Sequence, residues 1–198
     1  MTTTRAIRDD VKNVLDYLQL SALAVSTNEV QQSPSRVSWH AHDPSAQFLS
    51  IHGHPTIDQY LSWVRAGAYS AVLLDASLIQ ISYSVMGGTV SGHRLAYVPC
   101  PYDVDHQLLV QGEPILDVLD LYIDAERPMM RSPIRFDYDP VSGRVDHPAS
   151  HLTFNSFDCR IACVAPMHIC RFIDFIFRHF YPPLHKAHLR FFDAGARW

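Results

Sequence analysis

The sequence predicts an α+β fold, a mainly antiparallel meander sheet of about five to seven strands with helices packed on one face. Three observations predict it. Apolar and polar side chains alternate over residues 78–86, which is typical of a strand. Gly87-Gly88, which follows, is typical of a tight hairpin turn. Near both ends of the chain, apolar residues recur at three- and four-residue spacing, as in amphipathic helices.

Four helices are predicted from this periodicity and from their start and stop signals. The first helix carries its apolar side chains on one side, at Ile7, Val11, Val14, Leu15 and Leu18. A second helix begins after Thr56 and ends at Gly67, and a third follows Gly112. The last helix begins at Pro166. It has the widest apolar side, so we expect it to pack on the sheet.

The strands are predicted between these helices. Besides residues 78–86, strands are expected at 69–74, 90–98, 134–139 and 151–155, with a further candidate at 159–164. Residues 26–55 are rich in Ser, Pro, Asn and His, so we expect a long irregular excursion there, with short candidate strands at 37–39 and 48–51.

A chain of 198 residues predicts a single domain, residues 1–198. Within it, residues 1–54 form the first helix and the excursion, residues 55–182 form the core, and residues 183–198 form a basic and aromatic tail. No run of about 20 apolar residues and no signal-like N-terminal segment are present, so we expect no membrane partner and a cytoplasmic location.

Charge and motifs narrow the classes of function. The net charge of −4 argues against a general polyanion binder, although a local basic patch is compatible with it. The sequence has no GxxxxGK[ST] phosphate loop, no GxGxxG, no GxSxG elbow and no HExxH pair. Nucleotide hydrolysis by a phosphate loop, dinucleotide redox chemistry and the usual hydrolase triads are therefore set aside.

One polar stripe stands out in the two strands after residue 133. Alternate residues of a strand share a face, so Arg135, Asp137 and Asp139 point to one side. His151 and Asn155 share a side of the next strand. If the two strands pair, these side chains form one patch, with His147 at its edge.

This patch predicts chemistry on phosphate esters. Carboxylates two residues apart on a strand lie about 7 Å from each other, close enough to hold one hydrated divalent cation such as Mg²⁺. Asp137 and Asp139 are the candidate metal ligands. An arginine can bind a phosphate through two hydrogen bonds and a histidine can move a proton. The predicted catalytic residues are Arg135, Asp137, Asp139 and His151.

The predicted substrate-binding residues are His147, Asn155, Arg171 and Arg178. Arg171, Asp174 and Arg178 recur at three- and four-residue spacing on the last helix, where they form either an anion-binding row or a solvated face with local ion pairs. The stripe has its own structural alternative, because an antiparallel sheet commonly keeps one solvated polar face.

Several segments together resemble a bacterial family, domain of unknown function 2290. They are DASLIQISY at 75–83, HRLAYVPCP at 93–101, RSPIRFDYD at 131–139, HPASHL at 147–152 and the block at 159–182. The resemblance covers most of the chain from about residue 55. It implies a bacterial source and a neighbourhood of mobile or defence-related genes, and it brings no activity to transfer. The layout of strand, loop and histidine also resembles small toxin ribonucleases, without residue assignments.

The leading hypothesis is an enzyme that cleaves phosphodiester bonds in nucleic acid, of the toxin or defence kind. A second hypothesis is a noncatalytic module that docks a partner protein or nucleic acid through residues 171–190 or an exposed apolar face. A third is a sensor that binds a small anion without turnover. The sequence leaves all three open.

Overall fold

The computed structural model describes residues 3–39, 48–49, 56–123, 128–154, 156–164 and 166–195. These residues contain seven helices and nine strands, and the strands form one antiparallel sheet. The structure therefore confirms the α+β class and the antiparallel sheet. None of the helices described is long and apolar enough to cross a membrane.

The helices are α1 (Thr4–Leu20), α2 (Ile57–Arg65), α3 (His106–Val110), α4 (Ile115–Ile123), α5 (Ile169–Phe180), α6 (Pro182–Ala187) and α7 (Leu189–Gly195). The strands are β1 (Ala24–Thr27), β2 (Gln31–Ser33), β3 (Arg36–Ser38), β4 (Ala71–Leu73), β5 (Leu78–Met86), β6 (Thr89–Val98), β7 (Ile134–Tyr138), β8 (Ser150–Phe154) and β9 (Ser156–Ala162).

Strands β5 to β9 form the predicted meander, each pairing with the next along the chain. On the other side of β5, two short strands each pair with a different part of its length. β4 pairs with its first residues and β3 with residues Ser82 to Ser84. β1 pairs with the outer edge of β4, and β2 pairs with the outer edge of β3.

Helices cover both faces of the sheet, which differs from the expected packing on one face. The α5 face carries Ile79 and Leu95 and is covered by α1 and α5. The α2 face carries Leu78 and Ala96 and is covered by α2 and α4. Successive residues of β5 are apolar at its start, so both of its sides need cover from water.

Gln80, a polar residue in this apolar stretch, is fully buried on the α2 face. Its Oε1 accepts a hydrogen bond from the Leu49 backbone N–H at 2.9 Å, and its Nε2 donates to the Ala68 carbonyl at 2.6 Å. The side chain of Gln80 therefore provides hydrogen-bond partners for two buried backbone groups that lie outside the strands, the Leu49 N–H and the Ala68 carbonyl.

Two stretches are more regular than predicted. Residues 26–55 were expected to be irregular apart from short candidate strands at 37–39 and 48–51. The first candidate corresponds to β3, and the described part of the second, residues 48–49, is not in a strand. β2 and half of β1 also lie in this stretch, because β1 and β3 pair with the distant strands β4 and β5 and β2 pairs with β3. Residues 183–198 were expected to be a tail, yet α6 and α7 form there. Phe192 of α7 is buried, and Phe191 stacks on Tyr17 of α1 with ring centroids 3.7 Å apart.

Candidate functional site

The predicted stripe lies in one row across the meander, on the α2 face beyond the part that the helices cover. In register, Ser82 of β5 lies opposite Arg94 of β6, Arg94 opposite Asp137 of β7, and Asp137 opposite His151 of β8. β7 and β8 therefore pair as the sequence analysis required, and their polar side chains share a face.

A cavity of about 340 Å³ opens above this row. Its polar lining comes from five strands and the loop before β8, and it includes Arg36, Ser82, Ser84, Arg94, Arg135, Asp137, Asp139, His147 and His151. Five of these residues were predicted from the sequence as site residues. The volume falls in the usual range for pockets that hold small ligands, or one unit of a longer ligand.

Asp137 and Arg135 form a buried ion pair at the floor of the cavity. Arg135 Nε donates to Asp137 Oδ2 at 2.7 Å, and Nη1 donates to the Leu49 carbonyl at 2.8 Å. Asp137 is 7% exposed and Arg135 is 3% exposed. Arg135 therefore neutralises Asp137 and fixes its position, and its guanidinium is engaged by protein groups rather than presented to a phosphate.

His151 lies on the other side of Asp137 and is 2% exposed. Its Nδ1 lies 2.7 Å from the Pro148 carbonyl oxygen, and since a carbonyl can only accept, Nδ1 carries a proton. Its Nε2 lies 3.5 Å from Asp137 Oδ2. Nε2 is therefore the ring nitrogen that can exchange a proton beside the carboxylate.

The pKa of Asp137 is lowered. Burial by itself raises the pKa of this carboxyl, but hydrogen bonds from His151 and Arg135 and the charge of Arg135 outweigh burial. Asp137 is thus a carboxylate at neutral pH. Its second oxygen, Oδ1, is buried and has no hydrogen-bond donor in the described part of the chain.

Asp139 has a different role from Asp137. It follows the end of β7, and its Oδ1 accepts the backbone N–H groups of Val141 and Ser142 at 3.1 and 3.2 Å. Burial acts to raise its pKa, but a hydrogen bond from the Ser142 side chain, these two N–H groups and the nearby His147 lower it. The carboxylate shapes the turn that leads from β7 to β8.

The two carboxylates do not fit the predicted Mg²⁺ site. Asp137 already faces a guanidinium and an imidazole, and Asp139 accepts two N–H groups of its own turn. Within the described ranges, no group of three or more His, Cys, Asp and Glu side chains could hold a metal ion. Two carboxylates and water can hold Mg²⁺, but the Arg135 guanidinium, 2.7 Å from Asp137 Oδ2, disfavours a second cation there.

His147 lies at the lip of the cavity, where the turn between β7 and β8 closes. Its backbone exchanges two hydrogen bonds with Arg144, at 2.8 and 3.0 Å. The imidazole meets His151 edge to face, with ring centroids 4.7 Å apart. Burial lowers the pKa of His147, and the positive charges of Arg160, His151 and Arg144 lower it further.

Two arginines that the sequence analysis missed, Arg36 and Arg94, complete the cavity. Arg36 Nε and Nη2 donate to Ser82 Oγ at 3.3 and 3.2 Å. Arg94 is half-buried, and among the described residues no carboxylate lies within 4.0 Å of its guanidinium. The polar positions Ser82 and Ser84 in β5 indicated that this part of the strand faces a polar environment. They did not reveal which strands, and hence which arginines, lie beside β5.

The remaining predicted site residues lie elsewhere. Arg171 and Arg178 belong to α5, which packs on the opposite face of the sheet. Arg178 pairs with Asp174 at 3.0 Å, and His185 Nε2 lies 2.8 Å from the other oxygen of Asp174. The structure therefore does not bring Arg171 and Arg178 to the cavity. Asn155 lies outside the described residues.

Comparison with known proteins identifies the family. The sequence model of a family described as "Uncharacterized conserved protein (DUF2290)" matches residues 21–195. The chain belongs to the DUF2290 family. No curated protein and no solved structure matches the chain. The cavity residues that have been named, from Arg36 to His151, all fall within the part of the chain that is DUF2290.

Proposed function

We propose that this DUF2290 chain cleaves phosphodiester bonds in nucleic acid by acid–base catalysis, without a resident metal ion. The observation that carries the proposal is the composition of one cavity: two arginines in its lining, Arg36 and Arg94, and two histidines in contact beside a buried Arg135–Asp137 pair.

The arginines supply the affinity for phosphate. Guanidinium groups match phosphate oxygens geometrically and can donate two parallel hydrogen bonds. The charges of Arg135 and Asp137 offset each other, whereas Arg94 has no carboxylate within 4.0 Å among the described residues and is the guanidinium available to a phosphate. Arg36 lines the same cavity beside Ser82. An anionic ligand would be held above the row that ends at His151.

The histidines supply the proton transfers. His147, whose pKa is lowered, is the candidate base, and it removes the proton from the attacking hydroxyl or water oxygen. As the new O–P bond forms, the bond from phosphorus to the leaving oxygen breaks. That oxygen takes its proton from Nε2 of His151, which lies 3.5 Å from Asp137 Oδ2.

The direct test is cleavage of end-labelled RNA and DNA in EDTA by the parent chain and by His147→Gln. We expect the variant to lose about 10²–10⁴-fold in rate, which is the usual contribution of a positioned proton-transfer group. His106→Gln is the matched control, because His106 is exposed at the start of α3, outside the cavity lining. It should cleave at the parental rate.

A second variant separates binding from chemistry. Arg94→Gln should raise KM more than it lowers kcat, because it removes a phosphate contact made in both the ground and transition states. If neither RNA nor DNA is cleaved, the catalytic proposal is wrong. If EDTA abolishes cleavage, the metal-independent mechanism is wrong.

The same arginines also support the anion-sensor hypothesis, because they would hold a phosphate whether or not it is cleaved. Binding of nucleotides without turnover, weakened by Arg94→Gln, would select the sensor over the enzyme. The docking hypothesis loses part of its motivation, since Phe191 and Phe192 pack against the core.

A further inference from the structure

We propose that the cavity recognises a ribose 2′-hydroxyl beside a phosphate, so that its nucleic acid ligand is RNA rather than DNA. This inference rests on the proposed function and narrows its substrate class. Two neighbouring features carry it: a carboxylate oxygen that lacks a donor, and an arginine directly across from it in the sheet.

The carboxylate oxygen is Asp137 Oδ1. The other oxygen, Oδ2, faces Arg135 and His151, but Oδ1 is buried and has no donor in the described residues. A buried charged acceptor without a donor is costly, and native proteins rarely leave one unsatisfied. A ligand that enters the cavity and donates a hydrogen bond to Oδ1 removes this cost.

The donor must belong to a ligand that also carries a negative charge. Arg94 lies opposite Asp137 in the register of β6 and β7, where facing Cα atoms are about 4.5–5.5 Å apart. An anion held by Arg94 and a donor held by Asp137 Oδ1 are therefore close neighbours. A polyanion with no donor would leave Asp137 Oδ1 unsatisfied.

A ribonucleotide unit has this combination of groups. Its 2′-hydroxyl and its 3′-phosphate are attached to adjacent carbons of the sugar ring, so one unit can satisfy both residues at once. A deoxyribonucleotide unit keeps the phosphate but lacks the donor. The 2′-hydroxyl is also the group by which proteins distinguish RNA from DNA.

Calorimetric titration of the intact chain tests the inference without any mutation. The probes are uridine 3′-phosphate, its 2′-deoxy analogue and its 2′-fluoro analogue, which can accept but cannot donate at that position. We expect the ribonucleotide to bind about tenfold or more tightly than either analogue, the usual effect of a hydrogen bond to a charged group. Equal affinities for the three probes would overturn the inference.

Asp137→Asn tests the residue. The carboxamide oxygen should stay with the Arg135 donor, which places the amide nitrogen where Oδ1 was. That nitrogen only donates, so the preference for the 2′-hydroxyl should disappear. A variant that folds and retains the full preference would overturn the role of Asp137, and if the variant does not fold, the analogue series on the parent chain decides.

The outcomes separate this inference from the proposed function. Cleavage of RNA and DNA at equal rates, with equal affinities for the three probes, supports the phosphodiesterase and overturns ribose recognition. A tenfold ribose preference without cleavage of any nucleic acid supports ribose recognition and overturns the enzyme. Binding of uridine 3′-phosphate but not of single-stranded RNA overturns an RNA substrate in favour of a free ribonucleotide.

Discussion

At the scale of single residues, burial and neighbouring groups decide the role of a charged side chain. Arg135 and Arg94 are both arginines on the α2 face of adjacent strands, yet they serve different purposes. Arg135 is buried against Asp137 and the Leu49 carbonyl, whereas Arg94 is half-buried and faces the cavity. The residue expected to hold the phosphate is therefore a positioning residue, and in the proposed function Arg94, opposite Asp137 in the sheet, binds the phosphate instead.

His93 is a second residue whose surroundings fix its protonation state. It is 4% exposed on the α5 face, and its Nε2 accepts the Met167 backbone N–H at 2.7 Å. Nδ1 therefore carries the proton, and the ring is neutral. Burial lowers the pKa of His93 to about 4, against a smaller opposing effect of Asp137.

This lowered pKa predicts a pH dependence of stability. Between about pH 6.5 and pH 4 the unfolded chain binds a proton at His93 and the folded chain does not. The stabilisation is therefore present above pH 6.5 and is lost as the pH falls toward 4, by about 3 kcal/mol in total. Urea denaturation at a series of pH values should show this decrease in the free energy of unfolding.

His93→Gln should flatten the curve in that range, because the amide oxygen can still accept the Met167 N–H but does not titrate. His179→Gln, at an exposed position on α5, should keep the parental slope. The lowered pKa of Asp137 also stabilises the folded chain, but in a separate pH range. That stabilisation is lost only as the pH falls below the ordinary pKa range of a carboxyl. If the free energy of unfolding of His93→Gln keeps the parental slope against pH, the pH dependence does not come from His93.

At the scale of elements, the last three helices work as one unit. α5 lies on the α5 face with Phe172 and Phe177 fully buried, and α6 is tied to it by the contact between His185 and Asp174. α7 then places Phe192 against Phe177 and His185. α5 ends at Phe180, and Pro182 and Pro183 begin α6, because proline fits the first turn of a helix, where no N–H partner is needed.

This packing predicts a large effect for a residue so near the C-terminus. Phe192→Ala should lower the free energy of unfolding by about 3–5 kcal/mol, as is usual for a buried phenylalanine. Phe180→Ala is the comparison, because Phe180 is 40% exposed at the end of α5 and should cost about 1 kcal/mol or less. Similar losses in the two variants, measured by denaturant unfolding, would contradict the buried role of α7.

At the scale of the whole molecule, the distribution of charge matters more than its sum. The chain has a net charge of −4, so long-range attraction does not draw a polyanion to it. Arg36 and Arg94 nevertheless meet at one cavity, because β3 joins the sheet beside β5 and places Arg36 next to Ser82. Binding of nucleic acid should therefore be local and should involve few phosphates.

The salt dependence of binding measures this number. For single strands the slope of log K against log salt is about −0.7 for each phosphate contact, so two arginine contacts predict a slope of about −1.4. Arg94→Gln should reduce the magnitude of the slope by about 0.7, whereas Arg65→Gln, at the exposed end of α2, should leave it unchanged. Fluorescence anisotropy with a labelled single-stranded RNA checks both slopes. A much steeper slope would indicate a broad binding surface instead of the cavity.

Local pattern in the sequence was sufficient for the longer elements and for about half of the site. The alternation of residues 78–86 predicted β5, and the periodicity of Ile7 to Leu18 predicted α1. Alternation also put Arg135 and Asp137 on one side of their strand, because the two-residue period of a strand fixes side-chain direction without knowledge of the fold. These signals are local, and the sequence by itself determined them. His151 shares that face because β7 and β8 pair in register.

Only the tertiary structure decided which residues meet. The neighbours of β5 are β3 and β4 on one side and β6 on the other, and pairing between strands distant in sequence leaves no periodic signal in either of them. For that reason Arg36 and Arg94 were missed, and a polar Gln80 could not be explained until Leu49 and Ala68 were placed beside it. Whether a charged side chain binds a ligand or a neighbour depends on what the folded chain packs against it, and strand order sets that environment.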